Sequence, residues 1–168
     1  MGARQIHTRG TYRQYAGDRA GVEGATLDDL DLDELVRFYE PEDVAGATER
    51  WHVLFDPAAT GPITLINHFT LRDHAAYADG TEATGIEAFL SYAATSVPAL
   101  AKVGGRFLVS SPVVTSMFGR PDGSHLVVVG WYPDREALLA LLRDPEYRAA
   151  FAHRRAAVAS QCVLAANA

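Results

Sequence analysis

The chain has 168 residues, 48 % of them hydrophobic and 21 % charged, with a net charge of −6. That is enough for one domain with a full core and too apolar for a disordered chain, and the acidic balance argues against a nucleic-acid surface, which needs clustered Lys and Arg. The single cysteine, Cys162, leaves no intramolecular disulfide. No signal peptide follows Met1 and the longest apolar run, "HLVVVGWY", is too short to span a bilayer, so a cytoplasmic protein is expected.

Residues 1–26 are rich in Gly, Arg and Thr without a sustained period, and read as a loose arm in preference to a partner-wrapping segment. "TLDDLDLDELVRFYEP" predicts a short helix that Thr26 caps and Pro41 ends. "ERWHVLF" (49–55) fits a short strand or a helix end. "GPITLINHFTLR" alternates like a strand after a Gly-Pro start, and "HAAYADG" connects it to a helix over "TGIEAFLSYAATSVPALAKVGG". There Thr84 and Glu87 form a capping box, and Ile86, Phe89, Leu90, Ala93, Val97, Leu100 and Ala101 share a face. Pro98 is expected to bend this helix and Gly104-Gly105 to stop it.

"RFLVSSPVVTSMFG" reads as a strand pair, or as one strand broken at Pro112. "RPDGS" carries an Asp-Gly turn. "HLVVVGWY" is a buried strand. Asp134 caps "REALLALL", Asp144-Pro145 restarts the helix as "PEYRAAFAHRRAAVAS", and "CVLAA" is a short final strand. The order from residue 61 is β-α-β-β-α-β, the ferredoxin-like α+β arrangement, behind an N-terminal extension of residues 1–60. Both helices then cover one face of an antiparallel sheet. The other face is left bare and apolar, and a second copy of the chain is the usual cover.

The stretches "GPITLINHFTLR", "YADGTEATGIEAFLSYA", "VGGRF" and "YPDREALLALLRDPEYRAAFAHRRAA" carry a resemblance. Residues 61–166 resemble the dimeric α/β barrel superfamily and, within it, the DUF1330 group. "DPEY" with its downstream Arg is the most specific of the motifs. The resemblance places Asn67, Tyr77, Gly85, Tyr92, Gly105, Arg106, Tyr147, His153 and Arg155 on recurrent positions. It implies a homodimer whose sheets enclose a cavity. Its wider superfamily includes cofactor-free monooxygenases, isomerases, haem-handling enzymes and regulators, so the reaction stays open. His68 departs from the family pattern, which has an apolar residue there. The terminal "AANA" lacks the family's acidic-Gly ending, and the first 50 or so residues are not covered.

Asn67 and His68 are strand neighbours and face opposite ways. The more apolar face (Ile63, Leu65, Asn67, Phe69, Leu71) suits packing on helices. The mixed face (Thr64, Ile66, His68, Thr70) suits a wet cavity between sheets, with His68 as its acid/base. The reverse assignment puts Asn67 in the cavity. Asn67, Tyr77 and Arg106 are candidates to hold an oxyanion, and Trp131, Phe118, Tyr92 and His74 to contact substrate. His68, Asp73 and His74 match no strong metal spacing, and no motif calls for a cofactor. The expected function is cofactor-independent acid/base catalysis on a hydrophobic or aromatic small molecule, in specialised biosynthesis: cyclisation, isomerisation or oxygenation. The alternative is a non-catalytic dimeric module that binds a metabolite or supports another enzyme.

Overall fold

Among the described residues, nine elements form in chain order: α1 (Leu32–Tyr39), α2 (Val44–Leu54), β1 (Ile63–Leu71), α3 (Gly85–Lys102), β2 (Arg106–Pro112), β3 (Leu126–Tyr132), α4 (Arg135–Arg143), α5 (Pro145–Ala157) and β4 (Val158–Asn167). The computed structural model describes residues 32–40, 44–118 and 123–168. The expected loose arm, the Thr26 cap and the Asp122 half of the Asp-Gly turn lie outside them. The strands form one antiparallel sheet in the order β2-β3-β1-β4. Two strand-helix-strand crossovers with this order make the fold ferredoxin-like.

Local chemistry sets the helix ends. Thr84 Oγ1 accepts from the Glu87 amide, and Glu87 Oε2 accepts from the Thr84 amide at 2.8 Å, which closes the capping box. At the other end of α3, Gly104 takes φ +80°, and the amides of Gly104 and Gly105 donate to Ala101 and Leu100. This reversal is open to glycine at low cost. α3 runs as one helix through Pro98. Asp134 caps α4 by accepting from the Ala137 amide at 2.7 Å. Asp144 then ends α4 and starts α5, accepting from the amides of Glu146 and Tyr147, each at 2.9 Å, with Pro145 in the first turn.

Some alternatives are decided and some expectations corrected. Residues 49–54 are the end of α2, the helix-end alternative, with Phe55 in the turn after it. β2 is one strand that stops at Pro112, the second alternative for that stretch; proline there removes a ladder donor. α5 ends at Ala157, and β4 takes over from Val158 for 10 residues, twice the expected strand. Its pairing along the whole of β1 outweighs the helical pattern of 158–160. The buried face of α3 runs through Gly85, Ala88, Phe89, Tyr92, Ser96 and Leu100, while Ile86, Leu90 and Val97 are exposed. Small residues decide this. Gly85 and Ala88 let the helix approach the chain, whereas a hydropathy reading favours the larger aliphatics.

α3 and α5 pack together over the sheet. Tyr92 of α3 lies edge-on to Phe151 of α5, and Phe69 of β1 sits 5.2 Å from the ring of Phe89. α1 and α2 dock on this helix layer. The Tyr39 ring stacks on Trp51 and meets Phe151 edge-on, and its hydroxyl donates to the Leu142 carbonyl at 2.6 Å. Arg135 Nε donates to the Leu54 carbonyl, and Arg155 donates to that of Phe38.

Candidate functional site

A cavity of about 740 Å³ lies between the sheet and the helices of the protomer. Its floor is the face of β1 that carries Leu65, Asn67 and Phe69. β3 adds Val128 and Tyr132, and β4 adds Gln161 and Val163. α3 and α5 form the roof, and Tyr39, Glu40 and Trp51 close one end. The volume falls within the range that takes a drug-sized molecule.

Polar groups converge within mainly apolar walls. Asn67 borders the cavity; its Nδ2 donates to the Val128 carbonyl at 3.1 Å, and its Oδ1 has no partner among the described residues. The hydroxyls of Tyr92 and Tyr147 lie 2.8 Å apart, and Arg154 Nη1 reaches the Tyr92 hydroxyl at 3.4 Å. Burial pushes the Tyr147 phenol well above its ordinary pKa, with the neighbouring Tyr92 adding to the effect, and burial raises Tyr132 as well. Both stay protonated at neutral pH. The buried Tyr147 hydroxyl finds its hydrogen-bond partner in Tyr92. Either hydroxyl can donate in this pair, and Arg154 Nη1 donates to the Tyr92 oxygen.

Arg154 stacks over three rings, 4.8 Å from the centre of Phe69, 4.9 Å from Phe151 and 5.7 Å from Tyr92. Its Nη2 and Nε donate to Gln161 Oε1 at 2.9 and 3.3 Å. At the closed end, Glu40 accepts from Trp51 Nε1 at 2.5 Å and from Arg50 at 2.8 Å.

Of the residues singled out in the sequence, Asn67 and Tyr92 line this cavity. His68 does not: it stands on the sheet face away from the helices, the face expected for it, while this cavity lies on the other. The cavity lies on the helix-covered side of the sheet, because α1 and α2 extend the helix layer and enclose space beneath it. His68 is on the opposite face, level with Val127 and Cys162 on the flanking strands. Arg106 and Trp131 are also away from the cavity. They stack on each other, guanidinium 4.1 Å above the indole, on that opposite face. Phe118 is 92 % exposed in the segment after β2. His74 is exposed and bridges to Thr84. The Tyr77 hydroxyl lies 2.7 Å from His153 Nδ1 and ties the connector to α5, outside the cavity lining.

Sequence reasoning passed over Arg154, and the signal was present. Tyr147, Phe151 and Arg154 fall at i, i+4 and i+7, so a cation sits on the core face of α5. Glu40 and Trp51 carried no such signal, since their place depends on how α1 and α2 dock. Among the described residues, no three His, Cys, Asp or Glu come together as a metal cage, and no helix is long and apolar enough to cross a membrane.

Residues 65–168 match DUF1330, described as a domain of unknown function. No curated protein matches the chain. Two crystal structures of the RPA0582 protein, one of them of the methylated protein, are similar. The methylated one is 32 % identical, with 71 % of this chain and 90 % of that chain covered and a TM-score of 0.67. The other, described as a protein of unknown function from Rhodopseudomonas palustris, is 31 % identical, with 71 % and 92 % covered and a TM-score of 0.66. A dimeric ferredoxin-like protein of unknown function from Thermobifida fusca is 16 % identical, with 64 % and 92 % covered and a TM-score of 0.39. With the match spanning most of the chain, and with relatives of this identity, the chain belongs to the DUF1330 family.

Proposed function

We propose that the cavity between sheet and helices is the active site of a small-molecule enzyme, cytoplasmic and without a bound cofactor. It acts on a hydrophobic, flat compound of specialised metabolism through an enolate or phenolate, in isomerisation, cyclisation or oxygenation. The observation that carries this reading is the convergence of the Tyr92 hydroxyl, Arg154 and Asn67 on one largely apolar cavity. Tyr92 and Arg154 are donors for a developing oxyanion, and fixed donors in a water-poor site lower such barriers strongly. Asn67 Oδ1 orients a substrate hydroxyl. Glu40 is the carboxylate in the wall, and to accept a proton in such a step it gives up its contact with Arg50 or Trp51.

A homodimer belongs to this reading. The sheet face away from the helices carries Ile66, Val127, Val129, Trp131 and Leu164, with Leu164 52 % exposed. A second copy of the same face would cover it with two-fold symmetry.

The test uses a panel of naphthols, hydroxyquinones and cyclic β-diketones, followed by absorbance and oxygen uptake. With a substrate found, Tyr92→Phe is expected to lower kcat about 10²-fold while leaving the fold intact. Unchanged turnover in that variant removes the oxyanion role.

One observation favours a second reading, a non-catalytic binding module. Both Glu40 oxygens are engaged, by Trp51 and by Arg50. In that case the same panel raises the melting temperature without any compound being converted.

A further inference from the structure

Among the described residues Arg154 forms no ion pair. Its guanidinium sits on the rings of Phe69, Phe151 and Tyr92, and its polar contacts are the neutral Gln161 amide and the neutral Tyr92 hydroxyl. Glu40, the carboxylate lining the cavity, is engaged with Arg50 and Trp51. Removing a charge from water without a partner is costly, and an anion in contact offsets that cost.

Gln161 also decides how the guanidinium is presented. Its Oε1 takes Nε and Nη2, which fixes the plane of the fork and turns Nη1 toward the Tyr92 hydroxyl. Nη1 and the Tyr92 hydroxyl therefore lie side by side at the cavity wall, where a single oxygen carrying negative charge can meet both. One cation serves this point, so the charge it matches is −1. The apolar side chains of Phe89, Leu100 and Val128 line the rest of the cavity.

We infer that Arg154 and Tyr92 form the anion-binding end of the cavity, that Gln161 is the positioning residue for Arg154, and that the ligand is a monoanion with an apolar, aromatic body. Carboxylate, phenolate and enolate share this chemistry. The inference rests on the cavity being a ligand site, as proposed above.

The experiment compares naphthalene-2-carboxylate with its neutral isostere naphthalene-2-carboxamide, and 2-naphthol below and above its pKa, by calorimetric titration. The wild type is expected to bind the carboxylate about tenfold tighter than the carboxamide. A gain for naphthol on ionisation extends the class to phenolates, and no gain restricts it to carboxylates. Arg154→Gln is expected to abolish the preference and to leave carboxamide affinity within about threefold.

Gln161→Glu is the second variant. Gln161 is exposed on β4, so this change spares the fold, and it places a carboxylate on Nε and Nη2 of Arg154. That internal counter-ion is expected to remove the preference for the carboxylate and to raise the melting temperature. Equal binding of the two isosteres by the wild type, or a preference that survives in Gln161→Glu, overturns the anion assignment while leaving the cavity as a ligand site. Failure of every probe to bind the wild type at millimolar concentration overturns the cavity reading itself, and this inference with it.

Discussion

Asn67 and His68 are adjacent in β1 and serve opposite sides of the sheet. The Asn67 amide donates to the Val128 carbonyl at 3.1 Å and borders the cavity, while His68 stands level with Cys162 and Val127 on the far face. The sheet itself separates them. Asn67→Ala removes the free Oδ1 acceptor and is expected to weaken a hydroxyl-bearing cavity ligand about tenfold. His68→Ala is expected to leave that affinity within about twofold. Titration of both variants with the same naphthol settles the matter. A loss confined to His68→Ala would place the ligand on the other side of the sheet.

The far face gives its own prediction. Ile66 sits in the middle of β1 on this face, between Val129 and Leu164 on the adjoining strands. Ile66→Glu puts a charge at the centre of the proposed contact between copies, where it has no partner. Sedimentation at micromolar concentration is expected to give a dimer for the wild type and a monomer for the variant, with unchanged far-UV circular dichroism. A wild-type monomer under these conditions removes the dimer from the reading.

Gly85 tests the packing of α3. A Cβ at this position would run into the backbone carbonyl of Arg72, which cannot move without shifting the end of β1. The backbone is close because the Gly85 amide donates to Asp73 and the Ala75 amide pairs with Ala83. Gly85→Ala is expected to destabilise the protein by about 1–3 kcal/mol, as overpacking does, which lowers the melting temperature by roughly 2–12 °C at 2–4 °C per kcal/mol. A thermal melt reads this directly, and a neutral result would mean that α3 docks less closely.

Asp144 predicts a pH dependence. Its carboxylate accepts from the Tyr147 amide above all, then pairs with Lys102 at 3.0 Å and accepts from the Glu146 amide, and these hold its pKa below the ordinary 3.8. A depressed native pKa means that the folded state prefers the ionised form. The contribution is complete above about 3.8 and is lost as pH falls through the lower native value. Asp144→Ala is expected to cost about 1–2 kcal/mol at neutral pH, the worth of a helix cap. The gap between wild type and variant should shrink below pH 3.8. Urea unfolding midpoints at pH 7, 5 and 3 measure it, and a gap constant across that range would contradict the cap.

Much of the fold was legible because its determinants are local. The Thr84–Glu87 box, the Asp134 cap and the Asp144-Pro145 junction each act within three residues along the chain, so a short stretch contains the whole interaction. The alternation in β1 is equally local, and it correctly separated Asn67 from His68. It could not say which of the two faces encloses space. That answer depends on β3 and β4 pairing with β1 and on α1 and α2 docking over the helix layer.

What the sequence determined by itself, then, is the order of the elements from β1 onward, the capped starts of α3, α4 and α5 with the glycine stop of α3, and the family motifs, all of them products of neighbouring residues and their periodicity. Only the tertiary structure decided where the cavity lies and which polar groups enter it. The Tyr39 hydroxyl meets the Leu142 carbonyl across 103 positions, and Arg154 meets Tyr92 across 62. Such contacts form only after the chain between them has folded back, so no local pattern encodes which side chains will face each other.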